Sequence, residues 1–353
     1  MNKDIDIKET NLYKGYPEAF LRLLRDHSRF HIFKAEHPDL KGKALSAHDY
    51  DPENLIIWAT DDYVKQYGED YSFHKPITAE KITGEKNGMI IQPRCKKTAE
   101  EQTRRVKDKA EVFTPSWVCN AQNNLVDEAW FGRKDVFNTE ITDENGKHTW
   151  DTNTAPITEF PEGKTWKDYV RDTRMEITCG EAPYLASRYD TTTGEYIPTN
   201  NRIGLLDRKL RIISENCDES EEWIEMAKTA YKNIYGYEWQ GDNLLLARES
   251  LLVTFLEFYH DKFKKKPTEK SVNSIAYIIS WNLWQMDGLK MVIPDSCNQA
   301  TETGLFGDVD KKKCLSCEKG EMFGHVGIKC IVKKWNAGKD GQHIEFVSLI
   351  NRK

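Results

Sequence analysis

The 353-residue chain lacks any long hydrophobic run. A helix needs about 20 consecutive apolar residues to cross a bilayer, and no stretch approaches that length, so we predict no membrane partner. The N-terminus, from Met1 to Glu9, also lacks the apolar core of a secretory signal peptide. We therefore expect a cytoplasmic protein whose eight cysteines are reduced.

Positive charge is not in excess either. Lys and Arg number 51 against 57 Asp and Glu, which gives a net charge of -6. This balance argues against a surface that binds nucleic acid everywhere, so any DNA contact has to use local patches. Hydrophobic residues make up 39% and charged residues 31%, and this composition indicates a globular protein. The length allows one large α/β domain with an appended region or two modest domains, and we expect a main domain with a smaller helical N-terminal part.

The order of apolar and polar segments divides the chain into three predicted regions. Residues 1–105 form a mixed, mainly helical region with an amphipathic stretch from Pro17 to Arg25. In residues 106–295, short apolar runs alternate with helical stretches from about Met175, which is typical of a parallel α/β sheet. Residues 296–353 form a cysteine-containing extension. We expect the chemistry at the carboxyl ends of the strands in the central region.

Three local patterns predict elements near the start of this core. The charged stretch from Lys96 to Lys109 has no Pro or Gly and indicates a helix whose cations face either solvent or DNA phosphates. After Pro115 the apolar spacing is helical, with Ser116 able to act as the N-cap. The polar segment from Phe137 to Gly163 contains an Asp-Glu-Asn-Gly turn and indicates an inserted hairpin or loop.

Four segments carry residues suited to binding a ligand. They are Glu111-Val-Phe-Thr-Pro115, Glu176-Ile-Thr-Cys-Gly-Glu-Ala182, Ile234-Tyr-Gly-Tyr-Glu-Trp-Gln-Gly-Asp-Asn-Leu-Leu-Leu-Ala-Arg248 and Asn282-Leu-Trp-Gln-Met-Asp-Gly-Leu-Lys290. A glycine turn after a strand lets backbone amides approach a ligand, and a carboxylate at a strand end can accept hydrogen bonds from an ammonium group or hydroxyls. In this order the segments resemble the cofactor half of S-adenosylmethionine-dependent amino-methyltransferases.

The resemblance spans roughly Val106 to Lys290 and is closest to the methylase subunits of bacterial restriction-modification systems. It implies a Rossmann-like class I methyltransferase core with a helical N-terminal region and a C-terminal extension. It also implies methyl transfer to N6 of adenine in double-stranded DNA. A second restriction-modification subunit or a homodimer is a further partner to expect.

The first two segments imply contacts with the methionine end of the cofactor. Phe113, Thr114 and Pro115 match the family's Val-Phe-Thr-Pro segment. Glu176, Cys179 and Gly180 match its Asp-Pro-Ala-Cys-Gly-Ser-Gly pattern, in which the acid meets the ammonium group. The chain departs from that pattern at two positions, where Glu181 replaces the serine and Ala182 the second glycine. An altered turn or pocket is therefore expected.

The last two segments imply contacts with the nucleoside end. The resemblance implies that Glu238 accepts hydrogen bonds from the ribose hydroxyls and that Trp239 covers the adenine ring. It also implies that Asp287 accepts a hydrogen bond from the adenine amine. For Glu238 an exposed ion pair at a strand end remains open as an alternative. An Asp-Gly turn with no ligand is equally compatible with the sequence at Asp287.

The family's catalytic Asn/Asp-Pro-Pro-Tyr/Phe tetrapeptide is missing after Asp287. Glu181-Ala-Pro-Tyr184 is the nearest textual match, but it overlaps the glycine turn, and the strand-like run from Gly341 to Ile350 lies where the preceding strand is expected. A partner chain could complete the site, the protein could be an inactive DNA-binding or regulatory subunit, or the catalytic residues could have changed. A nuclease is disfavoured because we find no convincing Asp…Glu-x-Lys cluster.

Four metal-ligand residue types lie close together in the extension. Cys314, Cys317, His325 and Cys330 have a spacing that could supply the four ligands of a tetrahedral zinc ion. The longer middle gap departs from usual zinc knuckles, and Cys297 or His343 are alternative ligands. Reduced cysteines without a metal remain an open alternative.

Overall fold

The computed structural model describes residues 5–30, 54–109, 111–303, 309–337 and 341–350. The helices with described bounds are α1 (Glu9–Gly15), α2 (Pro17–Leu23), α3 (Val64–Tyr67), α4 (Ala79–Ile82), α5 (Gly84–Asn87), α6 (Ala99–Lys109), α7 (Ser116–Phe131), α8 (Trp166–Arg171), α9 (Leu205–Asn216), α10 (Ser220–Lys232), α11 (Gly241–Phe263), α12 (Glu269–Asn282), α13 (Ser296–Gln299), α14 (Leu315–Lys319) and α15 (Val347–Ile350). The strands are β1 (Asn138–Thr142), β2 (His148–Thr152), β3 (Arg174–Ile177), β4 (Ile234–Glu238), β5 (Leu283–Gln285), β6 (Thr301–Thr303), β7 (Val309–Lys311), β8 (Ile331–Lys334) and β9 (Gln342–Glu345).

Strands β3, β4 and β5 form a parallel sheet in that order. Arg174 pairs with Ile234, and Gly236 pairs with Leu283. Helices α9 and α10 connect β3 to β4, and α11 and α12 connect β4 to β5. Because parallel strands end at the same edge, this topology brings the residues after β3, β4 and β5 together. The predicted α/β class with a parallel sheet is confirmed at this level.

Helix α11 forms the centre of the main hydrophobic core. Leu244, Leu245, Leu252 and Phe255 are fully buried along its length. The helix ends where Lys264 adopts a left-handed conformation, with a φ of 55°, and its backbone N–H donates to the carbonyl of His260. A helix that is apolar on most sides has to be surrounded by other elements, which explains its central position.

The N-terminal helices belong to the same core. Phe20 and Leu23 of α2 have no exposed surface and cluster with Ile275 of α12. Trp58, which lies between α2 and α3, is also fully buried in this cluster. The region predicted as residues 1–105 therefore shares its hydrophobic core with the central sheet over the residues that the structure describes.

Two predictions about local elements need correction. Ser116 is not the N-cap of α7, because Pro115 occupies that position, and the Ser116 backbone N–H instead donates to a carboxylate oxygen of Asp190 at 2.7 Å. The C-terminal run contains a strand only from Gln342 to Glu345, and this strand pairs antiparallel with β8. It does not extend the parallel sheet.

Two other predictions are confirmed. The hairpin expected within residues 137–163 is formed by β1 and β2, whose strands pair antiparallel from Asn138 to Thr152. The basic stretch is helical from Ala99 to Lys109. No helix in the described parts of the chain is long and apolar enough to cross a membrane.

Candidate functional site

A cavity of about 120 Å³ lies at the carboxyl ends of β3 and β4. Small-molecule pockets usually measure roughly 300–1,000 Å³, so this cavity can enclose part of a nucleotide-sized ligand, and the rest has to extend outside or widen the cavity. The residues that line it come from the segment before α7, the turn after β3 and the end of β4: Glu111, Val112, Phe113, Thr114, Glu176, Thr178, Cys179, Gly180, Pro183, Tyr184, Glu238, Gln240 and Asn243.

The turn after β3 is held against β4 by backbone contacts. The N–H of Cys179 donates to the carbonyl of Tyr237 at 2.8 Å, and the Cys179 side chain packs over Gly236. A Cβ at Gly236 would lie 3.2 Å from the Cys179 Cβ, so glycine permits this close approach. Gly180 and Ala182 both have left-handed conformations, with φ of 51° and 61°. Ala182 therefore has a left-handed conformation, which glycine adopts more readily than alanine.

Glu238 connects this turn to the end of β4. One carboxylate oxygen accepts the Gly180 backbone N–H at 2.9 Å, and the other accepts the Gln240 N–H at 3.3 Å. Burial raises the pKa of Glu238 to about 7, although these backbone donors act to lower it. Glu238 is 7% exposed, so the alternative of an exposed ion pair is wrong.

Glu176 lies on β3 and contributes a second buried carboxylate. Its Oε1 accepts the Tyr184 N–H at 3.5 Å, whereas its Oε2 has no hydrogen-bond partner among the described residues. Burial raises the pKa of Glu176 well above its usual value, and the neighbouring Glu238 acts in the same direction. A buried polar atom without a partner is costly, and it is therefore a position where a ligand can donate.

Three further oxygen atoms of residues that line the cavity have no partner in the described part of the chain: Glu111 Oε1, Gln240 Oε1 and Asn243 Oδ1. Gln240 Nε2 donates to the other Glu111 oxygen at 3.1 Å, which leaves the Gln240 amide oxygen as an acceptor. Together with Glu176 Oε2 these atoms are acceptors without donors. The cavity therefore suits a ligand that is rich in donors or positively charged.

A buried network of ion pairs holds the Glu111 carboxylate in place. Arg105 on α6 donates to Glu111 at 2.8 Å and forms a short contact with Asp242 at the start of α11. Tyr63 also donates to Asp242, at 2.7 Å. Burial acts to raise the pKa of Asp242, but Arg105 and Lys97 outweigh it and hold that pKa well below its usual value. Arg105 is 2% exposed, so neither a solvent-facing nor a phosphate-facing role fits this cation.

The structure brings together six of the nine residues predicted to bind the cofactor: Phe113, Thr114, Glu176, Cys179, Gly180 and Glu238. Three others lie outside the cavity lining. Pro115 caps α7. Trp239 packs edge-on against Phe73 and donates its Nε1 hydrogen to the Ala59 carbonyl at 3.2 Å.

Asp287 lies beyond β5 and caps its own turn. One carboxylate oxygen accepts the backbone N–H groups of Leu289 and Lys290 at 3.0 and 3.1 Å. The other is 3.7 Å from the Lys290 ammonium group. These contacts match the ligand-free Asp-Gly turn that the sequence left open.

Gln240 and Asn243 were missed by sequence reasoning, and Glu111 was given no role although it begins the first segment. A polar residue in a loop or first helical turn has no distinctive pattern, so only its position beside the cavity identifies it.

Glu181 belongs to the nearest textual match to the catalytic tetrapeptide. Its two carboxylate oxygens accept from the Arg94 N–H and the Tyr189 hydroxyl, both at 2.7 Å. Glu181 is not among the residues that line the cavity, so the structure does not place it where a catalytic substitute would act.

A separate cluster of metal-ligand side chains lies in the C-terminal part. The sulfur atoms of Cys297, Cys314 and Cys317 and a ring nitrogen of His325 all lie within 4.8 Å of one another, so the cluster could hold a metal ion. Cys330 is not part of it. Its thiol lies 3.5 Å from the Gln285 carbonyl, in the core beside Val332. The predicted ligand set is therefore corrected by replacing Cys330 with Cys297.

No protein-family model matches this chain. No curated protein and no solved structure is significantly similar to it either.

Proposed function

We propose that the cavity at the ends of β3 and β4 binds S-adenosylmethionine, and that the chain is a DNA adenine-N6 methyltransferase-like subunit of a bacterial restriction-modification system. One observation carries the cofactor assignment: residues that line this cavity hold buried acceptor oxygens that have no donor among the described residues. S-adenosylmethionine has an ammonium group, a sulfonium centre and two ribose hydroxyls, so it supplies positive charge and donors. Its chemistry is to provide an electrophilic methyl group for a nucleophilic amine.

The chain's own residues have distinct tasks in this proposal. Glu176 Oε2 accepts from the ammonium group, because it is buried and has no partner among the described residues. Glu238 accepts from the ribose hydroxyls while it keeps its contact with Gly180. The Phe113 ring, which the Arg94 guanidinium covers at 5.1 Å, forms the apolar wall. Three parallel strands in chain order, with helices between them, support a Rossmann-like core.

The assignment of adenine as the methyl acceptor and of DNA as the partner depends on the resemblance in the four segments. No Asn-Pro-Pro-Tyr segment follows Asp287 in the sequence, and the described residues form no fourth parallel strand. Methyl transfer therefore requires residues from a partner chain or from a part of this chain with a different pattern.

Calorimetric titration with S-adenosylmethionine tests the cofactor assignment. Wild-type protein is expected to bind in the micromolar range, and Glu238→Ala is expected to bind at least about tenfold more weakly, since a hydrogen-bonded carboxylate is lost. Glu225→Ala is the matched control, because Glu225 is an exposed glutamate on α10. Absence of binding by the wild-type protein would overturn the proposal.

Transfer of tritiated methyl groups to mixed-sequence DNA tests the reaction. Incorporation into adenine is expected from the chain alone or together with the product of a neighbouring gene. If no methyl group is incorporated under either condition although the cofactor binds, methyl transfer is rejected and the second candidate function is favoured.

The second candidate is a non-catalytic DNA-binding or regulatory subunit with the same core. The missing tetrapeptide favours it, together with the position of Glu181 outside the cavity lining. Its test is fluorescence anisotropy with labelled duplex DNA. DNA binding that persists in the double variant Glu176→Ala/Glu238→Ala, without methylation by the wild-type protein, would favour this function over the enzyme.

A further inference from the structure

The cluster formed by Cys297, Cys314, Cys317 and His325 lies outside the proposed cofactor cavity and has the geometry of a closed metal site. We propose that these four side chains bind one Zn²⁺ ion, and that this ion ties α13, which carries Cys297, to the later segment that carries Cys314, Cys317 and His325.

The distances fit a tetrahedral ion. Zinc lies about 2.3 Å from cysteine sulfur and about 2.0–2.1 Å from histidine nitrogen, so adjacent S and N ligands are about 3.6 Å apart at tetrahedral angles. The His325 Nδ1 atom lies 3.8 Å from the Cys297 sulfur, 3.5 Å from that of Cys314 and 3.4 Å from that of Cys317. These three distances lie close to the expected separation of sulfur and nitrogen ligands, one above it and two below it.

Thiol hydrogen bonds do not account for this arrangement. A histidine nitrogen has a single lone pair and accepts one hydrogen bond, whereas three sulfur atoms surround the same Nδ1. The other ring nitrogen of His325 lies 2.8 Å from the Glu321 carbonyl, so it carries the proton and leaves Nδ1 as a lone-pair donor to a metal. Metal-binding histidines are oriented in this way, and His325 is 4% exposed.

The local backbone presents the ligands from two directions. Cys314 and Cys317 belong to one turn, since the Cys317 N–H donates to the Cys314 carbonyl at 3.1 Å. Cys297 comes from α13, on the other side. A Cβ at Gly327 would lie 2.9 Å from the Cys297 backbone nitrogen and 3.0 Å from its sulfur, so glycine there allows the two segments to approach.

The identity of the ligands indicates zinc and a structural role. Three thiolates and one imidazole form a Cys₃His set, which is common in structural zinc sites, and four protein ligands leave no open position for a reacting water. The cluster also packs on Val292. The Val292 carbonyl accepts the Asp287 N–H at 2.8 Å, and Val292 forms an isolated bridge with Lys329. The ion therefore fixes the chain segment that follows β5 against the segment around Lys329.

Metal analysis of tag-free protein by plasma mass spectrometry is the first test. About one zinc per chain is expected in the wild type. A value well below one equivalent after growth and purification with zinc, or stoichiometric iron in its place, would overturn the proposal. Replacement by Co²⁺ should give the visible absorption of a tetrahedral thiolate site, and its absence counts against the ligand set.

Matched cysteine variants then test which ligands bind. Cys297→Ser and Cys317→Ser should each lose most of the metal, whereas Cys330→Ser should retain it, because the Cys330 thiol lies outside the cluster. The opposite result for Cys297 and Cys330 would overturn this ligand set. If the variants are insoluble, wild-type protein treated with a chelator provides a second measurement: amide hydrogen exchange should increase in residues 296–303 and 309–334 and return to its original rate when zinc is restored. Unchanged exchange would overturn the structural role.

Discussion

The Glu238 carboxylate accepts a hydrogen bond from the Gly180 backbone N–H at 2.9 Å. These residues are 58 positions apart in the chain. The contact joins the end of β4 to the turn after β3, at the edge where parallel strands usually bind ligands. It uses one lone pair of Glu238 and leaves the remaining acceptor capacity of this carboxylate for a ligand.

Replacing Glu176 with glutamine should change stability and binding in opposite directions. Glu176→Gln removes a carboxyl group whose charged form is disfavoured by burial, so the free energy of unfolding should stay the same or rise. The same change removes a charge-assisted hydrogen bond to the ammonium group, so S-adenosylmethionine should bind about tenfold more weakly. Chemical denaturation and calorimetric titration measure the two effects. Wild-type affinity in this variant would remove Glu176 from the site.

The raised pKa of Glu238 predicts a pH-dependent stability. Its pKa rises from a usual 4.5 to about 7, so between these pH values the folded protein holds a proton that the unfolded chain has released. The free energy of unfolding should therefore fall as pH rises from 4.5 to 7, by up to about 3 kcal/mol from this group. Glu238→Gln lacks this contribution. Urea denaturation of both proteins across this range should give curves that converge or cross, and parallel curves would contradict the assignment.

Loss of the Arg105 side-chain charge should destabilise the protein strongly. Arg105→Met leaves Asp242 and Glu111 buried without their main cation, and breaking a buried pair in this way costs about 3–5 kcal/mol. Arg104→Met is the matched control. Arg104 is a neighbouring arginine, 45% exposed, whose ion pair with Asp62 should contribute about 0–1 kcal/mol. Thermal and urea unfolding of both variants measure the difference, and equal losses would show that the network is unimportant.

A methyl group at Gly241 should disturb the start of α11. The Cβ of Gly241→Ala would lie 2.0 Å from the Ile57 carbonyl oxygen, a backbone atom that has to move. A loss of about 1–3 kcal/mol is expected, which is typical of overpacking. Gly15→Ala provides the comparison, because no atom lies within 4 Å of its added Cβ and alanine favours the helix. Equal stability of the two variants would show that the segment around Ile57 adapts freely.

The sequence by itself determined the elements whose signals are local. The alternation of apolar runs and helical stretches after Met175 predicted a parallel α/β arrangement, and the Asp-Glu-Asn-Gly turn predicted the β1–β2 hairpin. The family resemblance, together with their positions at strand ends, pointed to Glu176, Gly180 and Glu238, which line one cavity in the structure. The cofactor, the reaction and the DNA partner stay predictions that depend on the resemblance.

Only the tertiary structure decided features that depend on residues far apart in the chain. Arg105 looks like any cation on a charged helix, and its burial follows from the position of Asp242, 137 residues later. Cys330 has the better spacing for a zinc ligand, but the chain path after β5 brings Cys297 to His325 instead and leaves Cys330 in the core. Spacing describes one segment, whereas a metal site or a buried charge is completed by whatever packs against that segment, and packing is a property of the whole fold.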